Sequence, residues 1–150
     1  MKKSMKTLVM AGLVLGMASQ AAYAVDGAYS TQANRPMTVS APNTWYTLNF
    51  PIPSGAIPVS NATLTEIYYD YSLGQSDVGS RGTLTVQLCQ GSTINCTDVS
   101  SAKSGSTTFF KGKPAGNPLF LYYMVSSNRA TGTITGNGVS QLSVNYTSSK

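Results

Sequence analysis

After residue 24, no stretch of this chain repeats its apolar residues at the 3.6-residue period of a helix. Short alternating runs take the place of helices, with Gly, Pro, Ser and Asn interrupting them about every 8–12 residues. In WYTLNF (45–50), Tyr46, Leu48 and Phe50 share one side. In ATLTEIYYDYSL (62–73), Leu64 falls on one parity and Ile67, Tyr69, Tyr71 and Leu73 on the other. That change predicts a bulge at Thr65 or Glu66, where an extra residue reverses the facing. GTLTVQLC (82–89) sets Leu84, Val86 and Leu88 against Thr83, Thr85, Gln87 and Cys89. STTFFKG (106–112) reads as a short strand, and SSNRATGTITGNG (126–138) as loop with room for one more. PLFLYYMV (118–125) is apolar on both parities, as a central or partner-covered strand would be. VSQLSVNY (139–146) turns Leu142, Val144 and Tyr146 inward and leaves TSSK frayed. The expected fold is all-β: an antiparallel β-sandwich, or a barrel-like single domain.

The N-terminus says where this body works. MKKSMKTLVMAGLVLGMASQAAYA has a basic start at Lys2, Lys3 and Lys6, an apolar run from Leu8 to Ala18, and small residues around Ala22–Ala24. That is the pattern of a secretory signal peptide, residues 1–24, removed after Ala24. Its apolar run is well short of the roughly 20 residues a membrane span needs. Residues 25–150 then form one periplasmic β-sandwich domain. Three of the ten basic residues belong to the leader, so the remainder is only mildly basic and carries no nucleic-acid footprint.

Export assigns the two cysteines. In an oxidising compartment an even count reads as a disulfide. Between Cys89 and Cys96, QGSTIN supplies the residues of a reversal, so the two thiols meet across a hairpin. The spacing is not that of a C-x-x-C redox centre, and a chain with no histidine offers two thiolates no zinc-binding company.

Catalytic reagents are scarce. Without histidine, no Ser-His-Asp or Cys-His arrangement exists. Glu66 and Asp70, the best carboxylate pair, stand about 13 Å apart along an extended strand, beyond the reach of glycosidase chemistry. The reading is therefore a non-enzyme with no metal and no cofactor. Aromatic residues out of phase with the core remain: Trp45, Tyr68 and Tyr122. On one outer face they would form a recognition surface for a protein or a sugar ring; otherwise they merely cover a sheet or an edge.

The order of motifs resembles FlhE, a family of small periplasmic proteins associated with bacterial flagella. The likeness is carried by GAY (27–29), EIYYDYSL (66–73), GTLTVQLC (82–89), Cys96, SGSTTFF (104–110), NPLFLYYMV (117–125) and QLSVNY (141–146). The resemblance implies an all-β periplasmic fold with one intramolecular disulfide. It also implies an accessory, chaperone-like role that restrains flagellar export or assembly, limiting proton leakage or premature polymerisation of subunits. The implied partner is a flagellar rod or export component. Where the family has basic residues beside the first cysteine, this chain has Thr85 and Gln87, so a charge-driven contact there need not carry over. Two other classes compete: a carbohydrate- or peptidoglycan-binding module using Trp45, and an exported pilus-type subunit completed by strand donation.

Overall fold

The computed structural model describes residues 24–57 and 61–149; the expected leader, Ala24 excepted, lies outside them. Ten strands follow in order: β1 (Ala24–Gln32), β2 (Thr38–Val39), β3 (Tyr46–Phe50), β4 (Thr63–Asp70), β5 (Thr83–Gln90), β6 (Ser92–Asp98), β7 (Ser104–Thr107), β8 (Leu119–Ser126), β9 (Ile134–Thr135) and β10 (Gln141–Ser149). One sheet has the order β1-β10-β4-β7, the second β3-β8-β5-β6, and β2 pairs with β9 as a short ribbon. Every pairing is antiparallel.

A single apolar cluster joins the two sheets, as the alternation predicts. Leu64, Ile67, Leu142, Val144 and Tyr146 come from the first sheet, and Leu48, Leu84, Val86, Leu88, Leu121 and Tyr123 from the second. β8 lies inside the second sheet, and its outward side chains are covered as well: Phe120 is buried and Tyr122 lies against the Trp45 ring. The change of parity in β4 has the predicted cause. Glu66 opposes Asn145 and Leu64 opposes Tyr146, so Thr65 is the extra residue of a bulge. The bulge precedes Glu66, so the register from Glu66 to Asp70 is unbroken and the two carboxylates stay apart along the strand.

Three local expectations are corrected. Residues 147–149 do not fray, Lys150 lying outside the described residues: β10 continues to Ser149 because β1 pairs with it along its whole length, Ala24 opposite Ser149. The short strand β7 lies at 104–107, ahead of Phe109 and Phe110, where it can pair with the far end of β4. The polar loop GQSDVGSRG contains one helical turn, α1 (Gln75–Val78), where the Asp77 carboxylate accepts a 2.7 Å hydrogen bond from the Gly74 amide. β1 went unread because Thr31 stands at a buried position of its alternation. Within it Gly27 lies opposite Tyr146, whose ring occupies the space a Cβ would need.

A buried serine pair ties the crossovers to this frame. Ser140 Oγ accepts from the Ser72 amide at 3.0 Å, and Ser72 Oγ accepts from the Met37 amide at 3.0 Å. Both serines are buried. Ser140→Ala would leave the Ser72 amide without its acceptor in a site closed to water. We expect a loss of about 1–2 kcal/mol, read as a lower urea midpoint at unchanged slope.

Candidate functional site

The structure divides the three outward aromatic residues between the two sheets, so they do not line one face. Tyr68 stands on the first sheet, 47% exposed, and donates a 3.0 Å hydrogen bond to the Glu66 carboxylate. That bond and the nearby carboxylate charge both raise the phenol's pKa. Trp45 and Tyr122 meet on the outer face of the second sheet. Their rings stack at 4.4 Å between centroids, 11° from parallel. The indole lies over the phenol, so one face of each ring is spent on the other, and Trp45 stays 37% exposed.

Local chemistry fixes that indole. Ahead of it Asn43 adopts φ 56°, the left-handed region that asparagine tolerates better than most residues. Its amide donates to the Ser127 carbonyl at 2.7 Å, its side-chain oxygen accepts from the Ser127 N–H at 3.1 Å, and its own N–H donates to the Val125 carbonyl at 2.8 Å. The turn is thereby clamped to the end of β8. Behind Trp45, Tyr46 points inward and stacks with Tyr123 at 5.9 Å. The Tyr123 hydroxyl accepts from the Thr38 N–H at 3.1 Å and donates to the Thr38 carbonyl at 3.2 Å. Burial pushes the Tyr123 phenol's pKa up, against the opposing pull of that backbone bond and of Arg35. Trp45 is therefore held from both sides by groups that are themselves fixed.

Along the same face, register aligns Asn49, Phe120, Cys89 and Cys96 in one row and Thr47, Tyr122, Gln87 and Asp98 in the next. Cys89 and Cys96 are directly opposed and joined by a disulfide. The reversal is tighter than QGSTIN suggested: Gly91, at φ 73°, makes the turn, and β6 starts at Ser92. Phe120 and Cys89 are both buried although their parity points them outward. The sequence reading missed Phe120; its signal was a phenylalanine on the same parity as Tyr122.

β3 is an edge strand, and an open groove of about 560 Å³ runs beside it between Asn49, Phe50, Arg35 and Pro118. The Arg35 guanidinium donates to the Thr47 carbonyl at 2.9 Å, covering part of that edge. The site thus combines a rigid, half-exposed indole, a row of polar side chains and an adjoining groove. Among the described residues, no group of three or more His, Cys, Asp or Glu side chains gathers as a metal site would. Nor is any helix among them long and apolar enough to cross a membrane. Ile94 at the start of β6 and Phe109 beyond β7 also stand exposed; for Ile94 the signal was an apolar residue among turn formers.

Comparison with known proteins agrees with this architecture. No curated protein sequence matches the chain. A solved structure described as the crystal structure of FlhE shares the fold at a TM-score of 0.63, with 23% identity, covering 81% of this chain and 96% of its own. The model of the family described as flagellar protein FlhE matches residues 44–147, from the Trp45 turn nearly to the end of β10. The chain belongs to the FlhE family of flagellar proteins, and its role is related to the flagellum.

Proposed function

We propose that the exported chain is a periplasmic accessory of flagellar assembly, chaperone-like, restraining the export pathway by protein–protein contact. On this reading its partner is a rod or export component. It limits proton leakage or premature subunit polymerisation by occupying that partner. The observation that carries it is the clamped Trp45 beside the groove at the β3 edge, in a chain of a flagellar family. A fixed aromatic with one open face is the kind of anchor on which interfaces concentrate their binding energy. Few catalytic reagents stand nearby, so contact rather than chemistry is the function we assign.

The test is deletion in the native host, then complementation with the parent chain or with Trp45→Ala. Deletion should disturb flagellar assembly or motility. Trp45→Ala should accumulate normally, fail to restore assembly, and lose at least about tenfold in co-purification of a rod or export component, as hot-spot truncations do. Normal assembly on deletion, or full rescue by Trp45→Ala, overturns the reading.

The glycan alternative keeps a single indole face beside Thr47 and Asn49, since Tyr122 is already covered. Equal retention of the parent and Trp45→Ala on peptidoglycan would dismiss it. Against a pilus-type subunit stands β10, a strand of the chain's own between β1 and β4.

A further inference from the structure

One corner of the sandwich presents apolar side chains that the fold does not use. At the tip of the β5–β6 hairpin Ile94 is 95% exposed, and in the turn after β7 Phe109 is 51% exposed. Lys113 brings the two segments together: its ammonium donates to the Asn95 side-chain oxygen at 2.6 Å and lies 5.8 Å from the Phe109 ring centroid. Lys111 is exposed in the same turn. No carboxylate occurs in residues 91–95 or 108–117; the exposed Asp26 lies in the same row as Thr63, with β10 between them.

From this geometry we propose that the corner docks on an anionic phospholipid surface, Ile94 and Phe109 entering the acyl boundary and Lys111 and Lys113 meeting the phosphates. Ile94 projects from the irregular start of β6 and Phe109 from the turn after β7. A side chain as bare as Ile94 is buried by a medium that yields around it, and basic groups beside apolar tips complement an anionic bilayer. This inference goes beyond the flagellar reading and is measured without any partner protein.

The exported protein would be sedimented with vesicles of phosphatidylethanolamine and phosphatidylglycerol, and with vesicles of phosphatidylcholine alone. We expect about tenfold more protein on the anionic vesicles, with raised salt removing most of the difference. Ile94→Ser and Phe109→Ser should each lower binding about three- to fivefold, and Lys111→Glu about tenfold. Ile94 supports nothing in the fold, so Ile94→Ser should keep the parent's thermal midpoint and its Trp45 fluorescence. Equal binding to both vesicle types overturns the proposal, as does parental binding by the Ile94 and Phe109 variants. Two further outcomes overturn it in favour of a different occupant: a dimer that Ile94→Ser dissolves without vesicle binding, and capture of an acidic protein in place of vesicles.

Discussion

Between pH 10 and 12 the domain should lose a large fraction of its stability, and where it unfolds it should do so cooperatively. Burial pushes the phenols of Tyr29 and Tyr71 up to about 12, the neighbouring Tyr69 and Asp98 adding to the effect on Tyr71. Burial also raises Tyr123. In the unfolded chain each phenol ionises near pH 10. Below that pH both states hold the proton, and the stability is fully present. Above it the unfolded chain releases protons that the folded chain retains, so stability falls until the folded pKa is passed. Linkage sets the loss at roughly 2 kcal/mol for each of Tyr29 and Tyr71, together a large fraction of a small domain's stability. Parallel titrations by phenolate absorbance and far-ultraviolet circular dichroism will check this. The buried phenols should ionise together with the loss of strand signal.

Tyr71→Phe separates the electrostatic cause from general alkaline damage. The Tyr71 hydroxyl donates to the Val99 carbonyl at 2.9 Å, so its removal should cost about 1 kcal/mol at neutral pH. The same removal takes away one group that must be kept neutral when the pH is high. The variant should therefore be less stable than the parent at pH 7 and more stable near pH 12. Parallel stability curves without that crossing, or phenolate signals complete while the sheet signal is native, would refute the assignment.

How much of this was legible beforehand follows from which forces are local. Alternation in Leu84–Leu88 and Leu142–Tyr146, and the parity change at Thr65, are properties of a strand and its own core face, so they could be read directly. The cysteine pairing was legible because the expected export and a short polar reversal leave few other uses for two thiols. Strand order was not legible. Tyr68 and Tyr122 have the same kind of local pattern, yet β4 and β8 belong to different sheets, and only long-range pairing decides that. β1 was hidden for the same reason: Ser30, Thr31 and Gln32 become strand through β10, not through their own hydrophobicity. The stacking of Trp45 on Tyr122 depends on Asn43 reaching Ser127 across 84 residues, a contact no window of sequence contains.

Removing the disulfide should cost about 2–3 kcal/mol, because the link closes a loop of seven positions and loop entropy grows only with the logarithm of length. For a domain of this size that lowers the melting midpoint by roughly 10 °C. The loss will not be spread evenly. β6 is an edge strand held by β5 alone, and most of its side chains are exposed or half-buried, so little apolar contact retains it. β5 lies between β6 and β8, with Leu84, Val86 and Leu88 in the core, and will stay in place. Reduction, or the Cys89→Ala/Cys96→Ala pair, should therefore speed amide exchange in Ser92–Asp98 well before it does so in Thr83–Gln90. The freed tip carries Ile94 and Asn95, the latter holding Lys113 at 2.6 Å, so the corner that presents the apolar groups should lose its shape with the staple. Binding to anionic vesicles should fall in the reduced protein while the Trp45 fluorescence stays that of the parent. If β6 exchanges as slowly as β5 after reduction, strand pairing alone holds the edge and the cross-link is not what shapes the tip.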